Sequence, residues 1–378
     1  MCPSHQQTSK EARVRSTRTA QIAALGAATV LALSACSSSS NTASTPSGSS
    51  SGSINCATGS IKASGSTAQK NAITEWINAY QQACTGATID YQANGSGAGI
   101  TDFSNGQTSF AGSDSALKAE NRPGADARCS PGAAIDIPMV GGAITLAYKV
   151  DGLSGLTLTP PVIAKIFNNK ITKWNDPAIA AVNPGVTLPD QPIAQFHRSD
   201  SSGTTENFSK YLKATAPTDW PYETGKDWPA PGGQGSKGND GVTASLTATA
   251  NSIGYIELSF AQDAKLATAK VDNGAGAVEA TSQNAAVTIA AAPITGTGND
   301  LALKIDYKIS APNAYPIVLV TYEITCNKGL PADQATLTKS FLTYTASDAA
   351  QSTLVDLGYV PITGVVLTKV KAAVASIL

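Results

Sequence analysis

The chain of 378 residues sets 26 Lys and Arg against 27 Asp and Glu, for a formal net charge of −1, and has only two histidines. That balance excludes the basic footprint of a nucleic-acid binder. His5 and His197 without any Cys-x-x-Cys pair argue against a bound metal, and the length suits a leader followed by two ordinary domains.

Lys10, Arg13, Arg15 and Arg18 precede the apolar run Ala20–Leu33, which is too short to span a bilayer comfortably. We read residues 1–35 as an export signal. It ends in Leu33-Ser34-Ala35-Cys36, which resembles the bacterial lipobox, so Cys36 is the expected lipidation site and membrane anchor. An ordinary cleaved signal with an incidental cysteine is the plainer alternative. Residues 36–55, nearly all small and polar, read as a flexible tether. Cys56, Cys84, Cys129 and Cys326 remain, an even number in an exported chain, which points to two disulfides. Four cysteines allow three pairings. We favour Cys56–Cys84, tying the first strand to the end of the first helix, and Cys129–Cys326 follows by elimination.

From Ile61 onwards short apolar strands alternate with helical periods. Ile61–Ala63 reads as a strand, and Ile73, Trp76, Ile77 and Tyr80 fall on one helical face after Ser66-Thr67, a suitable N-cap pair. Thr88–Tyr91 and Phe110–Ala111 read as further strands. Ile135–Met139 and Ala143–Tyr148 are expected as two crossing strands, and Pro161–Phe167 and Pro177–Val182 as helices. Between Thr215 and Asp240 the Pro, Gly and Trp content predicts a long ordered loop. Ser252–Leu258 and Pro316–Ile324 return to strand; Gln334–Tyr344, Ala349–Leu357 and Thr368–Ile377 are helical candidates. Such alternation predicts an α/β architecture with its sites on loops leaving strand ends.

Four such loops are rich in hydroxyls and glycine: Gly65-Ser66-Thr67, Gly95-Ser96-Gly97, Ser113-Asp114, and the run from Arg198 to Thr204. Capping alone explains any one of them. Together, gathered at one sheet edge, they supply hydroxyls, backbone N–H groups at helix starts and one forked guanidinium, which suits an oxyanion. Removing the leader leaves about −4 on the mature part, so local hydrogen-bond geometry rather than the overall field would draw such a ligand. Asp114 fits an anion that still carries a proton. Phosphate near neutral pH can donate its hydroxyl to the carboxylate, whereas fully ionised sulfate cannot.

Catalytic readings find less support. No Gly-x-Ser-x-Gly elbow occurs at Ser96 or Ser202, and His197 is better read as a strand-end residue orienting Arg198 than as a base. Gly95, Gly97 and Gly99 miss the dinucleotide spacing, and Gly238-Asn239-Asp240-Gly241 reads as a turn into a helix rather than a calcium loop.

The segments Ala63-Ser-Gly-Ser-Thr-Ala-Gln, Tyr91-Gln-Ala-Asn-Gly-Ser-Gly-Ala-Gly-Ile, Phe110-Ala-Gly-Ser-Asp, Lys173-Trp-Asn-Asp-Pro-Ala-Ile, His197-Arg-Ser-Asp-Ser-Ser-Gly-Thr, Gly235-Ser-Lys-Gly-Asn-Asp-Gly and Ser252-Ile-Gly-Tyr-Ile-Glu occur in that order. With them the chain from Cys56 to Leu378 resembles the phosphate-binding protein (PstS) family of bacterial Pst-type ABC transporters, in its actinobacterial lipoprotein branch. The resemblance implies a type II periplasmic-binding-protein fold, two α/β lobes joined by two crossing strands with the ligand cleft between them. Lobe I would comprise 56–142 plus 317–378 and lobe II 143–316.

It further implies phosphate ligands at Thr67, the backbone of Ala68, Ser96, Asp114, Arg198, Ser202, Gly203 and Thr204, with Asp200 holding Arg198. Ala68 stands where many members have phenylalanine, and His197 where some have a second arginine; neither departure removes a direct ligand. The expected partners are inorganic phosphate and the ABC permease with its cytoplasmic ATPase, with no cofactor and no metal, for a monomer at the outer face of the cell membrane. The alternatives are a receptor for tungstate, molybdate or sulfate, a cell-surface phosphatase, or an adhesin.

Overall fold

The computed structural model describes residues 54–378. The expectations for the export signal, for Cys36 and for the tether as far as residue 53 lie outside the described residues. Among those described, no helix is long and apolar enough to cross a membrane.

The first lobe opens with three βα steps. Strand β1 (Gly59–Gly65) leads to α1 (Lys70–Ala83), β2 (Ala87–Gln92) to α2 (Ser96–Ser104), and β3 (Phe110–Ser113) to α3 (Arg122–Arg128). In α1 the expected stripe Ile73, Trp76, Ile77 and Tyr80 is buried, as the i, i+3, i+4, i+7 spacing demands. The helix starts later than the Ser66-Thr67 cap predicts. Ser66 Oγ instead accepts the N–H groups of Ala68 (3.0 Å) and Gln69 (3.4 Å), closing a turn ahead of the helix.

The next strand corrects the sequence reading. The two expected strands are one, β4 (Ala134–Lys149), sixteen residues long and nearly all buried. Gly141-Gly142 carries no side chains to continue the apolar pattern, but the pleat needs only backbone. Pro138, which has no N–H to give a ladder, sits where the register slips in a bulge against β12.

The second lobe follows: β5 (Thr157–Leu158), α4 (Pro160–Phe167), α5 (Pro177–Ala181), β6 (Ala194–Arg198), α6 (Gly203–Thr215), β7 (Gln234–Ser236), α7 (Gly238–Ala248), β8 (Ser252–Glu257) and α8 (Leu258–Asp263). Short β9 (Ala267–Thr268), β10 (Lys270–Asp272) and β11 (Ala277–Val278) precede α9 (Ser282–Ala290). The stretch expected as loop from Thr215 to Asp240 therefore ends in a strand and the start of a helix. Exposed Gln234 and Gly235 carry no apolar signal, and β7 exists only because it pairs with β6. The chain returns through β12 (Val318–Cys326), α10 (Ala332–Thr345), α11 (Asp348–Ser352), β13 (Val360–Pro361) and α12 (Gly364–Ala375). Helix α11 stops five residues short of the expected Leu357.

One sheet runs through both lobes in the order β2-β1-β3-β12-β4-β8-β6-β7. The first half of β4 pairs antiparallel with β12, as far as Ala143 against Val318, and its second half pairs with β8 from Ile144 onwards. A single strand thus belongs to both lobes. Because β1, β2 and β3 are mutually parallel, as are β6, β7 and β8, their C-terminal ends gather the connecting loops at the crevice between them. The two disulfides are Cys56–Cys84 and Cys129–Cys326, with Cα–Cα distances of 5.3 and 5.1 Å, which is the favoured pairing. The first ties the segment ahead of β1 to the end of α1, and the second ties the end of α3 to the end of β12.

Candidate functional site

All four expected loops meet at the crevice. Arg198 ends β6 and is 1% exposed, which for a permanently charged side chain requires partners. Its Nε donates to Asp200 Oδ1 at 2.7 Å and one Nη to Oδ2 at 2.5 Å, a bidentate clamp that fixes the guanidinium plane. Its backbone N–H donates to Tyr255 Oη at 3.0 Å. Burial alone would raise the Asp200 pKa, but the hydrogen bonds and charge of Arg198 outweigh it and hold that carboxyl below its usual range.

Ser202 caps α6: its Oγ accepts the Thr205 N–H at 3.1 Å, and its own N–H donates to the Lys226 carbonyl at 2.9 Å. Gly203 and Thr204 are then the first helical residues, with backbone donors at the positive end of the helix dipole. Gly203 is required by close approach. A Cβ there would lie 2.6 Å from both the Asp114 Cβ and the Ser96 Oγ.

Across the crevice, Asp114 follows β3 and is 2% exposed. Its Oδ1 accepts from Ser66 Oγ and from Thr321 Oγ1 (2.9 Å), and its Oδ2 from Thr204 Oγ1 at 3.1 Å. Burial raises its pKa, against the pull of these hydroxyls and of Arg198. Thr204 Oγ1 also accepts from Arg198 Nη1 at 3.3 Å, so guanidinium, hydroxyl and carboxylate form one relay between the lobes. Ser96 is the first residue of α2, and its Oγ accepts the Asp114 N–H at 3.2 Å.

Thr67 and Ala68 stand in the turn after β1. Thr67 Oγ1 accepts from the Asn239 backbone N–H (3.1 Å) and from its Nδ2 (2.9 Å), and the Ala68 carbonyl accepts from Tyr359 Oη at 2.6 Å. The expected ligand residues therefore lie in or beside one buried hydrogen-bonded network where the loops meet. Ser66, read from the sequence as a cap and part of a hydroxyl loop, Asn239, read as part of a turn, and Thr321, which was not singled out, join them. Gly238-Asn239-Asp240-Gly241 does open a helix, as read, but nothing in that motif announced the bond to Thr67. His197 lies against the Arg198 backbone, its Nδ1 3.0 Å from that carbonyl, with its ring stacked on Trp228 at 4.9 Å; burial lowers its pKa.

Residues 40–349 match the family model described as a PBP superfamily domain. Over 342 residues the chain is 45% identical to phosphate-binding protein PstS 3 of Mycobacterium leprae, covering 89% of this chain and 92% of that protein. It belongs to the PstS family of phosphate-binding proteins. A more distant relative, phosphate-binding protein PstS of Xylella fastidiosa, is 33% identical over 80% of this chain and 82% of its own length. Among solved structures, a phosphate-binding protein from Stenotrophomonas maltophilia superposes with a TM-score of 0.65 at 20% identity, covering 83% of this chain and 93% of that one. The fold and family expected from the ordered motifs are therefore both borne out.

Proposed function

We propose that the protein is a non-catalytic receptor that captures inorganic phosphate in the interlobe crevice and hands it to an ABC permease. The observation that carries this reading is the opposition of Arg198, clamped by Asp200, to a buried Asp114 whose carboxylate takes only hydroxyl partners. Membership of the PstS family, whose curated relatives are named as phosphate-binding proteins, supports it.

In this reading phosphate takes the place of the relay between Arg198 and Asp114. Arg198, the Ser202 and Thr204 hydroxyls and the amides of Gly203 and Thr204 hold it from lobe II. Thr67, Ser96, the Ala68 amide and Asp114 hold it from lobe I. Asp114 accepts the ligand's own proton, which sulfate, molybdate and tungstate do not bring at neutral pH. The lobe boundaries we assign are 56–142 plus 317–378 and 143–316, with closure favoured by contacts from both sides. Lipid on Cys36 would hold this receptor, as a monomer, at the outer face of the membrane beside its permease. In this reading the protein performs no chemistry on its ligand, and the engagement of the His197 ring by Trp228 and the Arg198 carbonyl supports it over a hydrolase that uses His197 as its base.

Calorimetric titration with phosphate at pH 7 and pH 8 tests the reading. Saturable one-to-one binding is expected. Absence of phosphate binding, or turnover of a chromogenic phosphate ester that is abolished by Ser202→Ala, would overturn it.

A further inference from the structure

Glu206 lies in the same helical turn of α6 as Thr204 and is fully buried. Three ammonium groups converge on it. Lys210 and Lys118 face Oε1 at 2.7 and 3.3 Å as ion pairs, and Lys226 donates to Oε2 at 2.8 Å. Ser115 Oγ donates to the same Oε2 at 3.0 Å and accepts from Lys226 at 3.0 Å. Burial would push this carboxyl towards protonation, but Lys226 and Lys210 outweigh it and hold the group ionised, well below the usual range.

Two of these partners suffice to satisfy Glu206 from its own side. Lys210 is one helical turn on, and Lys226 stands in the loop whose carbonyl holds the Ser202 N–H. Lys118 and Ser115 come from across the crevice, in the segment that follows β3. Ser115 adjoins Asp114, just as Glu206 shares a turn with Thr204. The lobes therefore cannot part at Thr204 and Asp114 without also breaking the Ser115 and Lys118 contacts to Glu206. Asn207 adds a neutral tie at the same place, its Nδ2 donating to the Asp114 carbonyl at 2.7 Å. Around the cluster lies a cavity lined by Asp114, Glu206, Lys118, Lys210 and Lys304, so these charges stand at the edge of the binding crevice.

We propose that Glu206, through Lys118 and Ser115, is an interlobe latch that holds the closed receptor on its anion and so governs release. It is a positioning residue and touches no ligand. Once the lobes part, Lys118 and Ser115 are solvated while Glu206 keeps its two resident lysines, so the latch resets without leaving a buried charge unpaired. Breaking a desolvated ion pair acts mainly on dissociation, whereas a field that merely steers the anion acts on association.

This inference rests on the phosphate-receptor reading, and stopped-flow kinetics with inorganic phosphate, followed by tryptophan fluorescence, test it. The Ser115→Ala/Lys118→Met double variant is expected to release phosphate about tenfold faster with its association rate within about twofold of wild type. Lys118→Arg, which keeps the cation, should retain slow release. Lys118 is one-third exposed, so ligand-free Lys118→Arg should melt with the wild type. An unchanged release rate in the double variant, or slower association at unchanged release, overturns the latch. If the wild type binds no phosphate, the receptor reading is what fails. Small-angle scattering of the ligand-free proteins then decides the latch alone: a larger radius of gyration for the double variant supports it and identical scattering overturns it.

Discussion

Two pairs of buried carboxyls, one on each side of the crevice, are treated in opposite ways. On the lobe II side, Asp200 and Glu206 are each matched to cations, and both are held below the usual carboxylate range despite their burial. On the lobe I side, Asp114 and Glu323 are equally deep, but Asp114 accepts from hydroxyls and the two oxygens of Glu323 have no hydrogen-bond partner. Burial raises both, Glu323 to about 8. The difference teaches what each side contributes. Cation-saturated carboxylates are scaffolding that fixes where positive charge points, while a carboxylate left without its own cation is free to respond to a proton the ligand brings.

Removing the cation at the centre of the comparison has the largest expected effect. Truncating one member of a buried, hydrogen-bonded charge pair costs roughly 2–5 kcal/mol, so Arg198→Ala should lose phosphate affinity by about two to three orders of magnitude in calorimetry. A loss below about tenfold would mean that the hydroxyls and helix amides alone hold the anion. Asp200→Asn keeps the shape of the clamp but not its charge. It should weaken binding by only about tenfold and leave the choice between anions unchanged, because it acts through the pose of Arg198.

The smallest effect concerns stability rather than binding. Glu323 holds its proton in the folded protein up to about pH 8, whereas an unfolded glutamate releases it near 4.3. Between those values the native state binds more protons, so its contribution to stability falls as pH rises from about 4.3 to about 8 and is level above that. Asp200 and Glu206 carry the opposite sign: their stabilisation is present above the unfolded pKa and is lost as pH falls through the folded one. Urea unfolding of Glu323→Gln should therefore show a shallower decline between pH 5 and pH 8 than wild type, with the acid limb unaltered. An identical slope would place the titrating group elsewhere.

The main parts of the crevice were legible in the sequence wherever the chemistry is local. A hydroxyl or glycine just after a strand and just before a helix marks a loop with free amides; Thr67, Ser96 and the Arg198–Thr204 run carry that mark, while Asp114 shares only the position at a strand end. What the sequence hides is long-range pairing. Thr321 reaches Asp114 from 207 residues away only because β12 lies between β3 and β4. Asn239 reaches Thr67 only because α7 starts beside the turn after β1. The three-lysine environment of Glu206 draws on loops separated by about a hundred residues, and neither Lys118 nor Lys226 sits in a pattern that distinguishes it from a solvated surface lysine. The merging of two apolar runs into β4 was missed for a related reason: glycine removes the side-chain signal without removing the strand.

The measurement that tests the central claim most directly is the ratio of phosphate to sulfate affinity in wild type and in Asp114→Asn, by calorimetry at pH 8 and at pH 5. The variant keeps the side-chain shape but replaces one acceptor by a donor. In the wild type a strong preference for phosphate at pH 8 is expected, narrowing as pH falls, because burial pushes Asp114 towards holding its own proton. In the variant the ratio should fall at least about tenfold at pH 8, chiefly through gained sulfate binding. A ratio unchanged by Asp114→Asn would contradict the assignment of selectivity to that carboxylate.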